Sequence, residues 1–173
     1  MKRHKTLVFI IFLLMAAMVW MLINYLKNEQ TTNLSCLTIN QNKVNAQIDI
    51  RNYIKNDDVM LKKYQIYYTK SQPDLIYKVD KSNDTVKSMT LISDQSINTN
   101  FNTSINNRIR NVKNYLGKNF IEKKLRNGFK ATIYVDKDNQ IKLSLIHKDN
   151  KIKKLKSIRS NFKNDIPFRY VIF

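Results

Sequence analysis

Two glycines, two prolines and one cysteine in 173 residues exclude several chemistries before any motif is sought. With Gly117 and Gly128 alone, no glycine-rich loop can wrap backbone amides around a nucleotide. Cys36 has no second cysteine to pair with, so no disulfide forms within the chain. Histidine is equally scarce. His4 lies ahead of the first apolar run and His147 is the only other one, so zinc-ligand spacing is impossible. His147 could in principle act as a general base, but no serine or cysteine sits beside it in a nucleophile's turn context, and a surface or packed role is expected. Asp136, Asp138 and Asn139 resemble the opening of a calcium loop. That loop also needs glycine at its sixth position and glutamate at its twelfth, where this chain has Ile141 and His147, so a hairpin turn is expected. No metal, no cofactor and no enzymatic activity are expected.

Acidic residues are few, 13 against 31 lysines and arginines, for a net charge of +18. Nucleic acid is the obvious partner for such a chain. Against it, lysines outnumber arginines 24 to 7, whereas base and phosphate recognition favours the planar arginine fork. Lys, Asn and Ile supply 67 of the 173 residues, and all three have A/T-rich codons. The basicity is expected to follow genome composition, and no nucleic-acid partner is expected. Attraction to anionic headgroups or acidic partners stays open.

What the chain does have is one long apolar run, Leu7 to Leu26, with Asn24 its only clearly polar side chain apart from the Tyr25 hydroxyl. Twenty residues at about 1.5 Å each span roughly 30 Å, the thickness of a bilayer's hydrocarbon core. The run predicts a transmembrane helix, with Leu7, Phe9, Phe12, Leu14, Trp20, Leu22 and Leu26 as lipid-facing anchor residues. Lys2, Arg3 and Lys5 precede it, which places the N-terminus in the cytoplasm. The run exceeds a signal peptide's apolar region, and its small pair, Ala16 and Ala17, is followed by further large apolar residues, so an uncleaved signal anchor is expected. Lipidation of Cys36 is not expected, because the polar interval Lys27 to Thr32 separates it from the run.

The resulting domain plan is a cytoplasmic tag (1–6), a transmembrane helix (7–26), a linker (27–33) and one β-rich domain (34–173). Period-two alternation marks the strands. The clearest is Val44 to Arg51, with Val44, Ala46, Ile48 and Ile50 facing inward. Val59–Thr69, Leu75–Val79 and Thr85–Ile92 follow as a meander joined by polar turns. Ile105, Ile109, Val112 and Leu116 then recur at helical spacing, with Thr103 or Ser104 available as N-cap and Gly117 placed to end the helix. Phe129–Val135 and Ile141–Leu145 form a hairpin across Asp136–Gln140. Lys151–Phe162 reads as a short basic helix or irregular chain, and Ile166–Phe173 as a terminal strand. The fold class expected is α+β: an N-terminal transmembrane helix followed by a mainly antiparallel sheet with one or two packed helices. Val44–Arg51 and Phe168–Phe173 are the candidate open edges. Cys36, among Leu34, Leu37 and Ile39, is expected to be buried in preference to bonding another chain. Most tyrosines should pack in the sheet, and a minority could line a binding groove. Cys36, Tyr64, Tyr68 and Tyr170 are the candidate interaction residues.

A basic N-terminus, one apolar span, a polar linker ending in Ser35 and Cys36, a meander, and the later strand Gly128–Ile133 together resemble the FidL-like family of enterobacterial membrane proteins. The resemblance implies a single-pass inner-membrane protein with a periplasmic domain that accompanies a ToxR-type membrane transcriptional regulator by protein contact. An amphipathic ligand would be bound only in complex with that regulator. The rival expectation is an accessory component of an envelope or secretion assembly.

Overall fold

The computed structural model describes residues 2–29, 31–101 and 103–160, and within its first helix the side chains of residues 10–23. The chain divides into two compact units, Met1–Gln30 and Thr31–Phe173. The first is a helix, α1, over Lys2–Glu29. Its described apolar side chains, Ile10 to Met15 and Met18 to Ile23, are 47–71% exposed on every side of the helix. Among the described residues no helix is long and apolar enough to cross a membrane. The described side chains of α1 cover fourteen residues, about 21 Å, where a span needs roughly 20 residues. The expected transmembrane helix over Leu7–Leu26 thus gains no support from the fold.

The second unit is α+β. Its strands are β1 (Ile54–Asn56), β2 (Tyr64–Thr69), β3 (Gln72–Asp80), β4 (Val86–Leu91), β5 (Ile121–Lys124), β6 (Lys130–Asp136), β7 (Ile141–Lys148) and β8 (Lys151–Arg159), with helix α2 (Ile109–Leu116) between β4 and β5. All eight strands join one antiparallel sheet in the order β1-β2-β3-β4-β8-β7-β6-β5. Two four-stranded meanders therefore meet at a seam, β4 against β8, where Ser88 pairs Ile158 and Leu91 pairs Leu155.

Side chains alternate across a strand, so the register sorts the sheet into two faces. One carries Leu75, Tyr77, Met89, Leu143, Leu145 and Leu155, all at most 1% exposed. These pack with Ile109 and Val112 of α2 and with Leu34, Leu37, Ile39, Val44, Ile97 and Phe101 from the irregular segments into one hydrophobic cluster. The other face carries Tyr64, Ile66, Lys78, Thr90, Lys156 and Ile158, none of them in that cluster; it is partly open to solvent over β2–β4 and β8, whereas over β6 and β7 its Ala131, Ile133, Lys142 and Ser144 are buried. The segment after α1 is fastened at once: Thr32 N–H donates to Val135 O at 2.8 Å, and Leu34 N–H donates to the buried Asp136 carboxylate at 2.6 Å.

The scarcity of glycine is met by asparagine and aspartate. Asn40, Asn45, Asp84, Asn106, Asn127, Asp149 and Asn150 all have positive φ, the left-handed region that short polar side chains tolerate best after glycine. Asp149 and Asn150 (φ 52 and 61) form the two-residue turn from β7 to β8, whose mirror-image geometry matches strand twist.

Four expected elements differ: the strand expected over Val59–Thr69 begins only at Tyr64, and three others depart further. Val44–Arg51 keeps its alternation, with Val44 buried and Asn45, Gln47 and Asp49 exposed, but it is not a strand. Asn45 turns at φ 71, one isolated bridge links Gln47 to Thr85, and Ile50–Asn52 is a 3-10 turn in which the Asp49 side chain accepts the Arg51 amide. It is therefore no sheet edge; the edges are β1 and β5. Lys151–Arg159 is a strand and not a helix. Two of its apolar residues stand three positions apart on one face because of a bulge: Lys154 pairs Ile146 and Ile152 pairs His147, leaving Lys153 as the extra residue, so Ile152 and Leu155 reach the core, while Ile158 falls on the opposite face. The predicted helix at 105–116 exists and ends at Gly117, but it starts at Ile109 with Arg108 as its N-cap and no capping side chain. The residues before it are held elsewhere: Asn106 N–H donates to Ile152 O, Ile152 N–H to Asn107 O and Ile109 N–H to Asn150 O. The expected terminal strand Ile166–Phe173 lies outside the described residues.

Candidate functional site

The open face of the sheet holds a cleft of about 370 Å³ lined by Lys63, Tyr64, Lys78, Asp80, Lys87, Ser88, Gln140, Ile158 and Arg159. Both halves build it. Tyr64 pairs Asp80 across β2 and β3, and Lys78 pairs Ser88 across β3 and β4. Ser88 in turn pairs Ile158 across the seam. A bulge shapes its floor: Lys78 opposes Ser88 while Val79 opposes Val86, leaving Lys87 extra. Two consecutive residues, Lys87 and Ser88, can therefore both line the cleft, an arrangement a regular strand forbids.

Four cations face one carboxylate. Asp80 is already engaged, accepting the Ser82 hydroxyl at 2.8 Å and the Ser82 amide at 3.2 Å and standing 3.8 Å from the Lys87 ammonium. The Ser82 hydrogen bonds first, then the nearby Lys63 and Lys87, hold its carboxyl below the usual range. The Lys78 ammonium lies 4.0 Å from the centre of the Tyr64 ring, with Lys63 at 5.9 Å from the same ring. Burial pushes Lys78 below an ordinary lysine. One rung along the same face, burial and then the neighbouring Lys154 and Lys78 push Lys156 the same way. Such a group of cations attracts an anion and selects for negative charge more than for shape.

Of the candidate interaction residues, Tyr64 forms a wall of this cleft. Tyr68 is half-buried on the same strand, opposite Ile54, and is not part of the lining. Cys36 is exposed and not buried as expected, because Leu34, Leu37 and Ile39 turn inward while the Asn100 side chain holds the Cys36 carbonyl at 2.6 Å. Tyr170 lies outside the described residues. Phe12, Leu14, Trp20 and Leu22 are exposed on α1, and Leu7, Phe9 and Leu26 belong to the same helix. Lys63, Lys78, Lys87 and Arg159 were not singled out by sequence, where each is one basic residue among 31. The signal available was Lys78 on the polar phase of Leu75, Tyr77 and Val79.

His147 sits on the opposite, core-facing side, 4% exposed, its Nε2 sharing a 3.1 Å hydrogen bond with the Thr132 hydroxyl. Burial pushes its pKa down, Glu122 raises it, and Lys113 and Lys130 lower it. Glu122 accepts the Lys113 ammonium at 2.7 Å, and that bond keeps its carboxyl below the usual value. Asp136, the first residue of the calcium-like stretch, spends its carboxylate on Leu34 and on the Asn139 amide and side chain, both at 2.9 Å. Among the described residues no group of three or more His, Cys, Asp and Glu side chains could hold a metal ion.

No family model matches this sequence, and no curated protein or solved structure is significantly similar to it.

Proposed function

We propose that this chain is a membrane-anchored binding protein, fixed by Leu7–Leu26 with its N-terminus in the cytoplasm and its sheet domain on the outer side, and acting by contact without catalysis. The anchor reading rests on the sequence: twenty successive residues with one clearly polar side chain before Tyr25. A helix apolar on every side belongs in lipid or inside a larger core. The observation that carries the binding reading is the cleft on the open sheet face, where the cations outnumber the one acid four to one. A ToxR-type membrane regulator, the partner implied by the resemblance to FidL-like proteins, is the first protein to seek.

The test is in-cell crosslinking and co-purification of the full-length protein beside a version whose anchor is replaced by an unrelated span, with a C-terminal alkaline phosphatase fusion reporting topology. Recovery of one membrane regulator with either anchor supports the reading. Recovery of envelope machinery, or of nothing once the anchor is exchanged, would replace it with the assembly-component reading. An inactive fusion would refute the topology.

A further inference from the structure

The geometry points to a phosphate-binding site in the cleft of the open sheet face, one that takes a small molecule or headgroup bearing a phosphate. This deepens the anchored-binding reading and rests on its claim that the open face is the binding face.

Three features carry the assignment. Among the described residues, no ion pair within 4 Å joins Lys63, Lys78 or Arg159 to a carboxylate, and the single acid of the cleft is held by Ser82 and Lys87. These three cations come from different strands or strand ends and surround the cleft, and Ser88 and Gln140 add neutral donors to its lining. Several point charges converging with hydroxyl and amide donors suit a compact group with many acceptor oxygens, and lysine binds phosphate as such a point charge. The volume decides the size. About 370 Å³ lies near the lower end of the roughly 300–1,000 Å³ that small-molecule sites occupy, room for a compact phosphate-bearing group. Tyr64, its face under the Lys78 ammonium at 4.0 Å, fixes one of the cations in place.

The test is isothermal titration of the full chain in non-ionic detergent micelles with inorganic pyrophosphate, and with glycerophosphoglycerol as the headgroup arm. Saturable pyrophosphate binding that weakens about tenfold or more in the double variant Lys63→Gln/Lys78→Gln, about one charge-assisted hydrogen bond's worth, and is unchanged in Lys124→Gln, is the expected result. If the double variant does not fold by circular dichroism, Arg159→Gln is read in its place. Binding of pyrophosphate alone identifies a free phosphate compound as ligand; binding of glycerophosphoglycerol as well identifies a lipid headgroup. Equal binding in wild type and cleft variants, or an equal loss in Lys124→Gln, would overturn the site as diffuse charge attraction. Tighter binding of a short polyglutamate, lost in the same variants, would overturn the phosphate assignment and leave the anchored-binding reading standing.

Discussion

Replacing Asp136 with alanine should release the start of the second unit while leaving the sheet paired. The carboxylate is 1% exposed and accepts three hydrogen bonds, from Leu34 N–H at 2.6 Å and from the Asn139 amide and side chain at 2.9 Å each. Leu34 is itself buried, so its orphaned amide would cost about 1–3 kcal/mol, whereas the exposed Asn139 donors can turn to water and should add about 0.5–1.5 kcal/mol. A local loss of about 1.5–4.5 kcal/mol follows, equal to roughly 10- to 2,000-fold in an opening equilibrium. Amide hydrogen exchange of the full-length protein in micelles reads this directly: peptides spanning residues 31–39 should exchange faster by that factor, while β7 and β8 stay protected. Asp136→Asn should rescue little, because its amide nitrogen must face one of the N–H donors the carboxylate now accepts. A change under about threefold at 31–39, or an equal acceleration throughout the sheet, would refute the reasoning.

Other expectations are as definite. Leu143→Ala, on a central strand at 0% exposure, should lose about 2–5 kcal/mol in urea unfolding. Gly117→Ala should lose about 1–3 kcal/mol although its Cβ would meet nothing within 4 Å, since φ 82 with ψ −165 is a region essentially reserved for glycine; unfolding midpoints separate this from a silent surface change. His147 has a lowered pKa in the fold, so the unfolded chain takes its proton first. Stability should therefore fall as pH drops through the ordinary histidine value of about 6.5 and level off below the folded pKa. Melting at about pH 7.5 and about pH 5.5 should show that loss, and His147→Gln should flatten it. Glu122, whose pKa is also lowered, contributes its loss only at more acid pH, below the carboxylate range of the unfolded chain.

The strands from 64 to 91 and from 130 to 148 were legible because apolar residues recur along them at a two-residue period, although β6 and β7 are buried on both phases over most of their length. Where that inference failed, the backbone had departed from the period. The bulge at Lys153 made β8 mimic a helix, and the left-handed Asn45 broke a faultless alternation into loop. Asparagine hides such positions, since it reads as a polar strand residue where glycine would have announced a turn. The cleft was illegible for a different reason. Its cations are brought together by β4 pairing β8, a contact between residues some seventy positions apart, and the one local signal, Lys78 on the polar phase of its strand, is shared by basic residues such as Lys142.

That seam has a kinetic meaning. Every pairing except β4 with β8 joins strands adjacent in sequence, so each meander can assemble through short loops. The final join must close the 29-residue connection 92–120 between the two meanders, an entropic cost larger than that of any hairpin in the molecule. Since Lys63, Tyr64, Lys78, Lys87 and Ser88 belong to one half and Gln140, Ile158 and Arg159 to the other, the cleft does not exist until that join is made. An anion seated there bridges the two halves, draws the last step of folding forward, and marks the completed molecule.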